Sequence, residues 1–330
     1  MQTRRHQWAV VGTVLLAACG PDTRDNAGPD AAIGQDSAST ADASVGCDEQ
    51  MPAPATGATI NAAYAQHYKL FTLGPVPGVP APLGGSVISS SDPNTLLIAG
   101  KSEGAEGAIY SIKVKRNACG HIYAFDGTAQ LKATTPYVDA SLVYTPNKVL
   151  LYTEWPNRYN FSQLLPSSTT PDRAIDVRTK GMIGGGLGSI GYVPPGFTAA
   201  GGLRGASQPE GYWYHINLAA DGSLFSITGS QMTTTVPHWP GGFAYVPIGS
   251  ADFQNPSLVV AEWNNLTVAA YDVDAQGDPI VSTRRPFIDN FDHPWGAYFE
   301  PTTGDYLFLS WGAGQDEVFI VQGFTPPVLL

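Results

Sequence analysis

Two histidines, two matched glutamates and a scatter of tryptophans are the residues of this chain whose types and spacing could do chemistry. His238 lies four residues before Gly242 and His293 three before Gly296, in corresponding places of neighbouring segments. Neutral imidazoles joined by a carboxylate from Asp292 or Asp139 suit zinc or a similar divalent ion, so these four are the candidate metal ligands. Loop histidines bonded to backbone are the plainer alternative. Glu154 and Glu262 stand in matching contexts, Glu154-Trp155-Pro156-Asn157 and Glu262-Trp263-Asn264-Asn265, with Ser310-Trp311-Gly312 as an echo. Two such carboxylates can serve as acid and base in hydrolysis, or simply hold water. Trp239 and Trp295 flank the histidines. With Tyr137, Glu154, Glu262, Arg158 and Arg204 they form a candidate ligand platform, indole faces for stacking and carboxylates for hydroxyls. Trp155, Trp263 and Trp311 recur at equivalent places, which also suits wedges between packed sheets.

Other matches fail on context. Gly186, Gly188 and Gly191 spell G-x-G-x-x-G but lead into a strand, with no helix to receive a phosphate. Asp272, Asp274 and Asp278 resemble part of a calcium loop, yet Asp221-Gly222 in the corresponding place points to a hairpin turn. No G-x-S-x-G elbow or H-E-x-x-H pair is present.

The elements that must position these residues are short strands. Leu96-Leu97-Ile98, Val149-Leu150-Leu151-Tyr152, Leu258-Val259-Val260 and Tyr306-Leu307-Phe308-Leu309 are apolar runs bounded by turn residues, and no later stretch has sustained helical periodicity. A small residue, a short apolar strand and a proline recur at Val87 to Pro93, Leu142 to Pro146, Ile190 to Pro194, Phe243 to Pro247 and Ala297 to Pro301. A second apolar strand follows each, cryptic only around Ala199 to Arg204. A third is centred on Tyr110, Phe161, Tyr214, Tyr271 and Phe319. Four strands per unit of about fifty residues predict an all-β propeller of five four-stranded blades, or six if residues 160 to 190 hide one. Unit five stops near Gly323-Phe324 without a fourth strand. Tyr68 to Leu73, resembling the fourth strands at Ile122 to Phe125 and Val281 to Ile288, is expected to supply it and close the ring. In such a ring the outer-to-inner and second-to-third loops open on one face, and they carry every candidate platform residue.

Gly242-Phe243-Ala244-Tyr245-Val246-Pro247, Tyr271-Asp272-Val273-Asp274 and the run Phe299 to Phe308 resemble exported bacterial propellers of the NHL and gluconolactonase-like kind. Such proteins often carry Pro-Glu-Gly before the inner strand. Here those places read Pro240-Gly241-Gly242 and Pro294-Trp295-Gly296, without the glutamate. The resemblance implies either non-catalytic binding of a glycan, small ligand or envelope protein at the loop face, or a metal-dependent lactonase-like hydrolase built on His238 and His293. A structural assembly partner is the third reading. No cofactor is expected beyond a divalent metal.

The N-terminus resembles a bacterial lipoprotein signal: Arg4 and Arg5, an apolar run from Trp8, then Leu16-Ala17-Ala18-Cys19-Gly20. Residues 1–18 are expected to be removed and Cys19 acylated, which makes a lipid bilayer the partner. Gly20 suits outer-membrane export within the cell envelope. Residues 19–62 are then a disordered acidic tether and 63–326 the propeller. Residues 20–50 hold seven acidic side chains against Arg24, more than half of the net charge of −11. The acidic body has no basic stripe, which argues against nucleic acid. With Cys19 lipidated, Cys47 and Cys119 remain, and a disulfide between them would pin the tether to the body; two separate buried thiols is the alternative.

Overall fold

The computed structural model describes residues 49–312 and 316–329; the leader, Cys19 and Cys47 lie outside them. Three short strands come first: β1 (Ala53–Pro54), β2 (Thr59–Ile60) and β3 (Lys69–Gly74). Four sets of four follow. These are β4 (Leu83–Ile88), β5 (Thr95–Gly100), β6 (Ala108–Arg116) and β7 (Ile122–Thr134); then β8 (Val138–Tyr144), β9 (Leu150–Glu154), β10 (Asn160–Leu164) and β11 (Arg173–Asp176). Next are β12 (Leu187–Tyr192), β13 (Leu203–Ser207), β14 (Tyr212–Asp221) and β15 (Leu224–Thr235); then β16 (Pro240–Tyr245), β17 (Ser257–Glu262), β18 (Thr267–Asp272) and β19 (Arg285–Asp289). The last set has three of its own: β20 (Pro294–Phe299), β21 (Tyr306–Ser310) and β22 (Val318–Gln322). Each set is an antiparallel sheet in chain order, and the first strand of each packs against the first strand of the next around one axis. The protein is a five-bladed β-propeller. No helix among the described residues is long and apolar enough to cross a membrane.

Closure comes from the N-terminal ribbon. β3 pairs with β22 as the fourth strand of the last blade, Leu70 opposite Val321 and Phe71 opposite Ile320. The ribbon does more than was expected of it. The tether placed at 19–62 is already ordered from Ala53, because β1 lies along β3 and β2 lies along β19 of the preceding blade. Between them, Tyr64 and Tyr68 enter an aromatic cluster at the seam of the last two blades. Tyr64 stacks on Phe253 at 5.4 Å, Tyr68 meets Phe324 at 4.4 Å, and the Tyr68 hydroxyl donates to the Ala251 carbonyl. No sixth blade exists among the described residues: the irregular stretch supplies β10, β11 and a 3-10 turn over Val177–Lys180. The cryptic strand of the third unit is β13, a few residues beyond its expected place.

The inner strands share one irregularity. Leu83, Val138, Leu187, Pro240 and Pro294 each pair with the last residue of the neighbouring second strand, and each ladder slips register shortly afterwards. A bulge there bends the strand and re-aims the side chains beside the axis. It also brings backbones together. A Cβ on Gly85 would stand 2.6 Å from the Ser141 carbonyl carbon, and one on Gly242 would stand 2.2 Å from that of Gly296. Gly242→Ala must therefore push two inner strands apart. It is expected to lower unfolding free energy by about 3 kcal/mol, the upper range for overpacking, in a denaturant titration. Gly229→Ala, whose new methyl meets only the Asn217 amide at 3.6 Å, should be close to neutral.

Candidate functional site

The loops expected to converge do form one face. Among the described residues ten non-glycines have positive φ, and eight of them lie in these loops: Lys101, Glu103, Tyr137, His238, Trp239, Leu266, Asn290 and His293. Backbone strain concentrated on one face marks it as the place to look for function. A repeated hydrogen bond accounts for part of it. Trp155 N–H donates to the Tyr137 carbonyl (2.9 Å), Trp263 N–H to that of Trp239 (3.3 Å) and Trp311 N–H to that of His293 (2.9 Å). All three acceptors have positive φ and immediately precede an inner strand. The unusual backbone thus fastens each tryptophan loop to its own blade.

Five of the six tryptophans beyond Trp8 meet at this mouth. Trp155, Trp239, Trp263, Trp295 and Trp311, with Glu103, Gln208 and Pro209, line a cavity of about 300 Å³. Trp239 and Trp263 stack at 5.6 Å with planes 11° apart, and Trp295 and Trp311 lie 5.2 Å apart and tilted. Trp239 is 42% exposed, whereas Trp295 is 1% exposed and its indole N–H has no partner among the described residues. Glu103 comes from the β5–β6 loop of the first blade, and its N–H bonds the Val138 carbonyl of the second (3.0 Å). Burial pushes its carboxyl up to about 8. Next to Val138 is Asp139, wholly buried, with no side chain among the described residues hydrogen-bonded to its carboxyl. Burial first, and then the Glu103 charge, hold the Asp139 carboxyl well above the usual carboxylate range. Strand pairing makes Asp139 the equivalent of Gly84, Gly188, Gly241 and Trp295. At that register the second blade carries a carboxyl, Asp139, where Pro240-Gly241-Gly242 and Pro294-Trp295-Gly296 carry none.

The other residues singled out in the sequence divide. Tyr137 and Arg158 are on the rim, the guanidinium 5.5 Å from the tyrosine ring centre. Glu154 and Glu262 are buried and engaged. Glu154 accepts from Asn160 Nδ2 (2.9 Å) and Ser162 Oγ (2.6 Å); Glu262 accepts from the Tyr271 hydroxyl (2.5 Å) and from Arg284 through two nitrogens (2.7 and 2.5 Å). They brace their blades. Arg204 is a correction: it is the second residue of β13, so it sits at the opposite end of the blade, buried against Asp278 (3.2 Å). Trp295 is another, since it belongs to inner strand β20 and not to a loop. His293 corresponds to Trp239 and not to His238, for each directly precedes the proline that opens its strand. His293 packs on Trp263 at 4.4 Å and hydrogen-bonds Asp292 (2.6 Å), while Asp139 lies with Glu103. Among the described residues no three His, Cys, Asp or Glu side chains gather as a metal-ligand set.

Two features escaped sequence reasoning. Glu103 stands in the first unit where the repeat has lost its tryptophan, Gly100-Lys101-Ser102-Glu103 replacing Glu-Trp. An acid in that loop class was its only signal. The second is a larger cavity of about 930 Å³ opening on the opposite face. Tyr144, Tyr192, Tyr245 and Tyr298 line it, together with all five repeat-marking prolines and the C-terminal Pro326–Leu329 segment. The prolines that revealed the repeat thus ring this second opening. Its charged lining residues are Asp92, paired with Lys113, and Lys148. Nothing in it matches the unpartnered acids of the tryptophan mouth.

No protein family matches the sequence, and no curated protein does. The chain is similar to several solved structures. A gluconolactonase from Xanthomonas campestris is 15% identical over 84% of this chain and 88% of that one, with a TM-score of 0.39. A calcium-binding regucalcin from Agrobacterium tumefaciens is 14% identical over 78% and 98%, with a TM-score of 0.40. An auxiliary nutrient binding protein from Bacteroides ovatus is 10% identical over 80% and 76%, with a TM-score of 0.40. At such identities and scores the site's chemistry rests on its own residues.

The raised Glu103 carboxyl has a consequence for stability. A folded-state carboxyl that holds its proton more tightly than the unfolded chain stabilises fully below about pH 4.5, and that contribution is lost as pH rises towards about 8. Compared with wild type, Glu103→Gln should remove a downward slope in unfolding free energy across this window, on the order of a few kcal/mol in total. Denaturant titrations at pH 4.5, 6 and 8 measure it, and parallel curves for the two proteins would refute it.

Proposed function

We propose that this protein is a non-catalytic binding protein that takes a small ligand into the tryptophan mouth. The supporting observation is the convergence of five indoles and one carboxyl on a single cavity of about 300 Å³. Fixed aromatic planes provide large contact area at low conformational cost, and a cavity of this size admits one sugar-sized unit and not a protein surface. The stacked Trp239–Trp263 pair supplies the exposed wall. The hydrolase alternative draws less support: it needs His238, His293 and a carboxylate around one ion, and the side chains that do approach one another are Asp292 and His293 alone. Titrating a panel of monosaccharides and small charged and neutral molecules, read by indole fluorescence, should find a ligand whose dissociation constant rises tenfold or more in Trp239→Ala, about 1.4 kcal/mol. An unchanged constant would sink this reading.

Cys19 acylation and a Cys47–Cys119 disulfide complete the proposed setting in the bacterial envelope, with the outer membrane as destination. The disulfide is supported by Asn117 Nδ2, which donates to the Gln50 carbonyl (3.2 Å) and so holds the chain just after Cys47 beside the turn that carries Cys119. Metabolic labelling with a fatty acid should mark wild type and not Cys19→Ala. Peptide mapping without reductant should recover Cys47 and Cys119 in one linked fragment.

A further inference from the structure

Resting on the binding role just proposed, we infer that the ligand is a small organic cation of the quaternary-ammonium class, held by the indole faces and by Glu103. The cavity lining is five tryptophans, Gln208, Pro209 and Glu103; no lysine, arginine or histidine is among them. Behind Glu103 stands Asp139, at the register where the last blade places Trp295, which does line the cavity. No side chain among the described residues hydrogen-bonds the buried Asp139 carboxyl, which lies outside the lining and acts on the site through Glu103.

The remaining charged groups around the mouth are committed elsewhere. Asp316 accepts from the N–H groups of Leu83 (2.8 Å) and Gly312 (3.0 Å), Lys101 pairs with Glu106, and His293 with Asp292. Glu154 and Glu262 are held within their blades, and Arg158 lies over Tyr137. Among the described residues the lining therefore carries one carboxyl, Glu103, with no protein cation to balance it.

Ligand classes separate on this chemistry. An anion meets the carboxyls. A divalent metal needs six or so oxygens, and indole walls supply none. A sugar needs a hydrogen-bonding partner for each hydroxyl, and the cavity offers Glu103, Gln208 and the free Trp295 N–H. A quaternary ammonium is apolar at its surface and positive throughout, the complement of aromatic faces closed at one end by a carboxyl.

The test compares choline with its neutral isostere 3,3-dimethylbutan-1-ol on the purified full-length chain by calorimetry at pH 9, where the Glu103 carboxyl is ionised. Choline should bind at least tenfold more tightly, Glu103→Gln should erase that preference, and Trp239→Ala, at a partly exposed position, should weaken choline binding tenfold without change in melting temperature. Equal binding of the two isosteres overturns the inference. Binding of a monosaccharide but not of choline, still lost in Trp239→Ala, overturns it while leaving the binding role intact. If neither class binds and Trp239→Ala alters no titration, the binding role falls with it.

Discussion

Five inner strands share one axis, and the closeness of their backbones is the constraint on which the rest of the molecule depends. Where Gly85 faces Ser141 and Gly242 faces Gly296, no side-chain carbon fits. The repeated bulge that produces this crowding also aligns five equivalent positions, and glycine occupies three of them at Gly84, Gly188 and Gly241. The remaining two hold Asp139, which stands beside Glu103, and Trp295, which lines the mouth.

Carboxylates of one kind serve opposite ends here. Glu262 is buried but answered by Tyr271 and a two-pronged Arg284, and Glu154 by Asn160 and Ser162. Such satisfied charges hold a structure in register without stabilising it much, since desolvation offsets most of the attraction. Asp139 is equally buried but has no side-chain partner among the described residues, and burial holds its carboxyl towards the neutral form. Environment, not residue type, separates the structural acids from the candidate functional ones.

That distinction explains what the sequence made legible. Short buried strands, proline spacing and the missing fourth strand of the last unit are local or periodic signals, so blade number and ring closure followed from them. The mouth was legible as a face, because loop class follows from topology; Trp155, Trp239, Trp263 and Trp311 arrived as expected. Finer placement failed where it turned on one residue of register. His293 was matched to His238 when its counterpart is Trp239, and Trp295 was put in a loop when the strand begins at Pro294. Arg204 failed because the cryptic strand of the third unit starts just before it, which moves it to the other end of the blade. Glu103 was invisible because its importance comes from Asp139, thirty-six positions away and in another blade.

The ring is also closed by its two ends. Thr72 on the closing strand donates to Glu317, 245 positions later, so β3 and β22 must find each other. A ribosome has made the four intervening blades before that partner exists, and contacts of such long range assemble slowly. Until then the final blade carries a bare edge and the aromatic seam around Tyr64 and Tyr68 is open. Premature termination anywhere before Val318 would leave a chain that cannot complete its circle, however well its earlier blades are formed.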